Sequence, residues 1–286
     1  MRSRDLTFQS TYRMKIGDKL KQMQTDGRAL LAVNFYNFET LKGIMIAARK
    51  LNQPVILQLT RSSIEYMGLA IAKNLAKNCT EEYGVEAWLH LDHGDSIELV
   101  KRCLDAGFDS VMIDASEKEL SQNIEITSTV VQLAKPYKAH VEAELGYVAK
   151  LGQPGEKKGF TDPTEAREFV ESTGVNALAV AIGTAHGFYK EPPLLRIELL
   201  RLIKNVVGIP LVLHGSSGVP ESQVKEAISN GICKVNIATE VKDMFMGTLR
   251  SRLSSTSDID LRNVFPPAIE AVTDLLTKKF LIVKMD

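Results

Sequence analysis

The chain has no run of about 18 apolar residues, so it offers no membrane-spanning helix. It also has no net charge. Lys+Arg and Asp+Glu number 35 each, so no overall field draws the protein to nucleic acid or to an anionic membrane, which leaves only a local basic pocket for phosphate. Cysteine is scarce: Cys79, Cys103 and Cys233 stand far apart with no C-x-x-C pair. That spacing argues against a disulfide frame and a zinc ribbon, and suits free thiols in a reducing compartment. The opening "MRSRDLTFQSTYRM" is basic but lacks the apolar core of a secretory signal. It reads as an extension, residues 1–14, ahead of one domain over 15–286. The expectation is a soluble cytoplasmic globular protein. There is no internal repeat, low-complexity tract or domain boundary within it.

What the chain does have is alternation. Eight short apolar runs are strand candidates: "ALLAVNF" (29–35), "PVILQLT" (54–60), "AWLHLD" (87–92), "SVMIDA" (110–115), "KAHVEAEL" (138–145), "ALAVAIG" (177–183), "PLVLHG" (210–215) and "KVNIA" (234–238). Segments of helical period separate them. In "DSIELVKRCLDAG" (95–107), Ile97, Val100, Cys103 and Leu104 share a face, Asp95 or Ser96 can cap, and Gly107 stops the helix. "DPTEAREFVESTG" (162–174) places Pro163 in the first turn and Gly174 at the end. "PESQVKEAISNG" (220–231) repeats the plan. Nearly continuous apolar strands are those of a parallel sheet covered on both faces. Eight of them alternating with helices predict a single-domain (β/α)8 TIM barrel. A doubly wound open sheet is the runner-up, but the first strand–helix turn, "NFYNFET", carries no G-x-G-x-x-G. The longest connection, "GYVAKLGQPGEKKGFT" (146–161), is long enough for a functional lid.

Such barrels gather their chemistry at the C-terminal ends of the strands. Those ends carry Asn34, Thr60, Asp92 with His93, Asp114, Glu142 and Glu144, then "GTAHG" (183–187), "HGSSG" (214–218) and "NIATE" (236–240). Of the five histidines only His140 lies away from such an end. His93, His186 and His214 come from strands three, six and seven, and three imidazoles leaving an open position are the ligand set of a catalytic zinc ion. His90 shares the side of Asp92 and reads as core or as support for a ligand. His140 reads as a core histidine. Asp114 and Glu144 offer an alternative or supporting set of oxygen ligands, with a structural ion pair or helix cap as the other reading. After strands seven and eight, Gly215 and Gly218 let backbone approach a ligand, while Ser217 and Thr239 supply hydroxyls. That is where barrels commonly bind phosphate. Asn34 and Thr60 are the candidate substrate contacts of the first two strands.

These residues carry a resemblance. "LHLDHG" (89–94), "VEAELG" (141–146), "AVAIGTAHG" (179–187), "LVLHGSSG" (211–218), "KVNIATE" (234–240) and "VNFYNFETL" (33–41) are similar to the class II, metal-dependent ketose-bisphosphate aldolases, with the tagatose-bisphosphate branch looking closest. The resemblance implies a dimeric or tetrameric barrel that reversibly splits a ketose 1,6-bisphosphate into dihydroxyacetone phosphate and an aldehyde phosphate. Carried over by motif, His93, His186 and His214 would bind zinc, with Asp114 and Glu144 matching an alternative metal position. Asp92 would be the acid/base at the cleaved carbon. Gly187, Gly215, Ser217, Asn236 and Thr239 would hold phosphate, with a monovalent cation nearby. A lysine Schiff base is the other aldolase route, and the sixth strand ends without a lysine.

Two departures stand out. The loop after strand five is short and basic where many members carry a "GGxED"-like stretch. Glu156 is its only acidic residue and the remaining candidate for moving the proton at C3, a route left open. In "VFPPAIEAV" (264–272), Ile269 stands where fructose-bisphosphate members carry an arginine near the second phosphate. Two competing readings survive. One is a weakly active or non-catalytic sugar-phosphate-binding barrel or aldolase accessory subunit, and the other is a zinc hydrolase on the same barrel.

Overall fold

The apolar runs become the staves of a closed barrel. The computed structural model describes residues 13–150, 159–187, 189, 191 and 193–285. Its strands are β1 (Leu30–Asn34), β2 (Val55–Leu59), β3 (Ala87–Gly94), β4 (Ser110–Ile113), β5 (His140–Leu145), β6 (Ala149–Lys150), β7 (Ala177–Val180), β8 (Ala185–His186), β9 (Leu211–Leu213) and β10 (Ile232–Ile237). Eight of these pair in parallel in the order β1-β10-β9-β7-β5-β4-β3-β2, with β2 closing on β1. The small strands β6 and β8 pair separately above the barrel. The predicted barrel therefore holds, and the open-sheet alternative does not.

Alternation along each stave sorts side chains between two environments. Leu31, Val33, Leu57, Leu89, Val111, Val141, Leu178, Leu211 and Val235 face outward and join the buried layer under the helices. Inward, the filling changes character from bottom to top. Leu30, Ala32, Ile56, Trp88 and Cys233 meet Ile16, Leu20 and Met23 of α1 (Ile16–Thr25), which caps the N-terminal end. The next layer includes Met112, Ala177, Ala179 and Val212. Above it the interior turns polar, with Asn34, Gln58, His90, Asp92, Ser110, Glu142, Glu144, His214, Lys234 and Asn236 all buried. Arg13 donates to the Ala87 carbonyl at 2.7 Å and pairs with Asp109, while the Trp88 indole donates to Met14 O at 2.9 Å. These contacts tie the end of the expected extension to the barrel floor.

The helices start and stop where local chemistry directs. The helix α2 (Phe38–Leu51) opens on a reciprocal capping box of Asn37 and Thr40. Of the two candidate caps for α5 (Ile97–Asp105), Ser96 takes the role, accepting from Leu99 N at 3.3 Å. Asp95 instead grips Arg61. The Asp162 cap, Pro163 first turn and left-handed Gly174 stop of α7 (Pro163–Thr173) match the sequence reading. The last helix, α12 (Pro266–Lys284), packs on α2 and on α10 (Thr239–Ser254). Ile269 is buried in that packing, against Gly43, rather than at the mouth of the barrel. No described helix is long and apolar enough to cross a membrane.

Candidate active site

Two adjacent residues of a strand normally face opposite ways, yet Asp92 and His93 both reach the barrel mouth. The ladder between β3 and β4 explains this. Leu91 pairs with Val111 and Gly94 with Ile113, so β3 spends one residue more than its partner over the same span. The extra residue is a bulge, and His93 takes it up with a left-handed φ of 48°. Histidine adopts that conformation more readily than β-branched or bulky residues. Gly94 must follow it, because a Cβ there would lie 2.4 Å from the Met112 carbonyl oxygen.

The bulge brings His93 among Glu144 of β5, His186 of β8 and His214 just past β9. One donor atom each from His93, Glu144, His186 and His214 lie within 4.8 Å of one another. His93 Nε2 and His214 Nδ1 are 3.0 Å apart. On the far side of His93, Nδ1 is 2.8 Å from the Asp114 carboxylate. A carboxylate only accepts, so this contact puts a proton on Nδ1 and turns Nε2 toward the cluster. His214 mirrors it: Nε2 lies 3.0 Å from Glu142 Oε1, which directs Nδ1 inward. Two ring nitrogens so close need a shared proton or a metal cation between them.

Two further observations show the cluster fits a cation. Glu144 Oε2 and His186 Nε2 are buried with no hydrogen-bond partner, which is costly unless a bound cation satisfies them. The protein also raises the demand for positive charge here. Although burial opposes charging His93, Asp92, the Asp114 hydrogen bond and Glu144 outweigh it and push the imidazole up to about 10. Burial and the Asp114 charge lift Glu144 to about 8. The donor set, nitrogens with one carboxylate oxygen, suits zinc, whose tetrahedral ligands at about 2.1 Å sit about 3.4 Å apart. Asp114 is outside this donor group; it braces His93 from behind and accepts from the Ser116 hydroxyl at 2.7 Å.

A cavity of about 640 Å³ opens over the cluster. It is lined by Asp92, His93, Asp114, His186 and His214, and by Asn34, Thr60, Gly187, Gly215, Ser217, Asn236 and Thr239. The candidate residues thus share one hollow, apart from Glu144, buried at its floor, and Glu156, which lies outside the described residues. Ile269 does not line it.

Asp92 is held by carboxamides: Asn34 Nδ2 donates at 2.8 Å, and Gln58 Nε2 and Asn236 Nδ2 each at 3.4 Å. Burial alone would raise its pKa, but the charges of His93, His214 and Lys234 and the Asn34 bond hold it below the ordinary carboxylate range. At Gly215, φ is 64° and a Cβ would meet the Ala185 carbonyl oxygen at 2.5 Å, so only glycine lets the loop after β9 pass β8. Tyr189 pins that passage: its hydroxyl accepts from Ala185 N at 2.5 Å and donates to Gly215 O at 2.8 Å. Thr239 opens α10 beside it, so a helix N-terminus faces the hollow.

The fructose-bisphosphate aldolase class II family profile matches residues 14–286. The chain belongs to this family. It is a class II aldolase, a lyase. It is similar to the YdjI aldolase of Escherichia coli K12, with 31% identity over 94% of this chain and 96% of that chain and a TM-score of 0.84. Similarity extends to a putative fructose-1,6-biphosphate aldolase of Coccidioides immitis, at 27% identity over 94% and 96% of the two chains and a TM-score of 0.86. The fructose-bisphosphate aldolase of Campylobacter jejuni, 22% identical over 93% of each chain with a TM-score of 0.78, shares the fold.

Three parts of this aldolase site were not read from sequence. Gln58 was hidden in an apolar run whose other residues are core. Tyr189 acts on backbone, which leaves no motif. Lys234 sits inside the barrel with 1% exposure, on the eighth stave rather than at the end of the sixth, where a Schiff-base lysine is expected. Its ammonium is held by Glu142 at 2.6 Å and His90 at 3.2 Å, and it does not line the cavity.

Proposed function

We propose that this class II aldolase is zinc-dependent and reversibly cleaves a ketose 1,6-bisphosphate into dihydroxyacetone phosphate and an aldehyde phosphate. Tagatose 1,6-bisphosphate is the first substrate to try, from the branch its motifs resemble, and fructose 1,6-bisphosphate the second. The observation that carries this reading is the convergence of His93, His186, His214 and Glu144, with unpartnered buried atoms, at the floor of the cavity. His93, His186 and His214 would hold the metal, with Glu144 as the fourth or alternative ligand and Asp114 orienting His93. Bound there, zinc supplies Lewis-acid stabilisation of the negative charge that develops on the substrate as its C–C bond breaks, worth several kcal/mol.

The chain's own residues do the rest. Asp92, adjacent to His93 in sequence, holds and returns the proton at the C4 oxygen. Asn34, Gln58 and Asn236 fix its orientation. Gly187, Gly215, Ser217 and Thr239 receive the phosphate of the triose, with a monovalent cation beside it. Asn236 stands between the Asp92 and His214 ends of the site, its carboxamide 3.1 Å from His214 Nε2. Thr60 lies at the wall where the aldehyde half would extend. Glu156 is the candidate for the C3 proton.

The test is to incubate the protein with dihydroxyacetone phosphate and a panel of aldehyde phosphates, with and without chelator, and to identify the sugar formed. The reading expects condensation that chelator abolishes, zinc restores and borohydride does not trap. Full activity in chelator, or trapping through a lysine, would overturn it. Binding without exchange of the C3 proton would favour an accessory role.

A further inference from the structure

Beneath the cavity floor runs a chain of buried polar groups that the cleavage chemistry does not use. The charged groups at its centre set the direction of its hydrogen bonds. The ammonium of Lys234 can only donate. It donates to Glu142 Oε2 at 2.6 Å and to His90 Nε2 at 3.2 Å. Because His90 Nε2 accepts, the His90 proton sits on Nδ1, which donates to the Ser110 hydroxyl at 2.7 Å. On the other arm, Glu142 meets Lys234 with one oxygen and His214 Nε2 with the other at 3.0 Å. A carboxylate bound to an ammonium only accepts, so His214 keeps its proton on Nε2 and turns the Nδ1 lone pair into the metal cluster. All five side chains are buried, none more than about 2% exposed.

The location of Lys234 is itself built. It alternates with Asn236 on the inner face of β10, and the register shift between Ile232 and Lys234 turns Cys233 inward beneath it. A lysine in a barrel interior costs much desolvation that a hydrophobic residue would avoid. Retaining one there calls for a task that depends on its charge and donor geometry.

The geometry points to Lys234, with His90 and Ser110 behind it, as a positioning relay that acts through Glu142 to set the tautomer and ring orientation of His214. This inference rests on the proposed role of His214 as a metal ligand. Lys234 is a positioning residue, since it touches neither the cavity nor the metal-facing nitrogens. A purely structural ion pair would hold the barrel together without affecting which nitrogen of His214 faces the cluster.

The test measures zinc affinity of the metal-free protein by competition with a chromophoric chelator. Alongside it, the visible absorption of the cobalt-loaded protein reports ligand geometry. Glu142→Gln keeps the volume but turns an amide N–H₂ toward His214 once its oxygen accepts from Lys234, which inverts the tautomer. Lys234→Met removes the donor. The double variant Lys234→Met/Glu142→Gln leaves no unpaired charge and serves if Lys234→Met alone fails to fold. His90→Gln perturbs only the outer arm. The expected result is zinc binding about 10–100-fold weaker in the Glu142 and Lys234 variants, with shifted cobalt bands and near-native unfolding of the metal-free double variant. His90→Gln should fall between these and wild type. If wild type itself binds no zinc at the cluster, the ligand role of His214 fails and the relay with it. If wild type binds zinc, and the folded variants match it in affinity and spectrum, the relay alone is overturned.

Discussion

Replacing Asp92 by asparagine separates the two jobs a carboxylate beside a metal histidine can do. The side chain keeps its shape, and its surroundings limit the structural cost. Asp92 accepts from Asn34 at 2.8 Å and from Gln58 and Asn236 at 3.4 Å. An asparagine has one acceptor oxygen, so one of these donors would face its amide N–H₂, and an unmatched buried donor costs about 1–3 kcal/mol. Asn34 Oδ1, however, has no partner. A flip of the Asn34 amide would let it accept from residue 92, which puts the penalty near the lower end, about 1 kcal/mol. The melting temperature should therefore fall by no more than a few degrees.

The effect on turnover should be far larger. Loss of a positioned proton carrier costs about 10²–10⁴ in rate, or about 3–5 kcal/mol of barrier. Had Asp92 served only to support the metal site, the loss would appear as zinc affinity weakened about 10–100-fold and would vanish in excess zinc. The assay is kcat at saturating zinc, paired with zinc affinity by chelator competition, for wild type and Asp92→Asn. A variant within tenfold of wild-type kcat, or one restored by added zinc, would refute the proton-carrier role.

Further outcomes follow from the same geometry. Gly215→Ala forces a Cβ against the Ala185 carbonyl in a left-handed backbone. Conformational strain of about 1–2 kcal/mol plus overpacking of about 1–3 kcal/mol should lower stability by about 2–5 kcal/mol, measured by urea unfolding, and raise KM for the triose phosphate; a change under 1 kcal/mol would show the loop can yield. His140, against Gly17 of α1, is lowered to about 4 by burial. Its folded pKa lies below its unfolded value, so the folded state binds fewer protons and stability falls as pH drops from about 6.5 toward 4, by at most about 1.4 kcal/mol per pH unit. His140→Phe should flatten that slope in urea titrations, and parallel wild-type and variant curves would remove His140 as the cause. Zinc added to metal-free protein at about 100 times its Kd should stabilise it by about 2.7 kcal/mol, read as a raised melting temperature that His186→Ala diminishes.

The barrel was legible because its signal is repeated. Eight apolar runs separated by capped amphipathic helices leave few topologies, and the Asp162, Pro163 and Gly174 plan of α7 and the Gly107 stop after α5 were readable residue by residue. The hollow was legible in part for the same reason, since strand ends in this fold share one face. His93, His186 and His214, placed there by counting strands, share a cluster in space. Glu144 joins them, whereas Asp114 braces His93 from outside the cluster. Nothing in the spacing of the two carboxylates distinguishes those positions, because a difference of a few ångströms in depth is decided by register. The choice between Asp95 and Ser96 as cap of α5 likewise turned on Arg61, more than thirty positions away in sequence, which draws Asp95 aside.

Strict alternation of side chains along a strand is the rule by which strands are read, and this site departs from it where Asp92 and His93 meet. In β3 the bulge at His93 lets neighbours in sequence work on the same side. In β10 Lys234 keeps the alternation, two residues before Asn236, but puts a charge at an interior position where pattern reading expects an apolar residue, while the register shift beside it turns Cys233 inward. Neither bulge has a glycine or proline at its centre to announce it. Both positions bear on the histidine cluster, the bulge supplying His93 directly and Lys234 supplying the charge that pairs with Glu142 beside His214. A regular barrel would place at most every second residue of a stave in the hollow. Asp92 and His93 side by side in the hollow need more than that spacing supplies, and the extra residue of β3 provides it where the backbone can turn without losing its ladder.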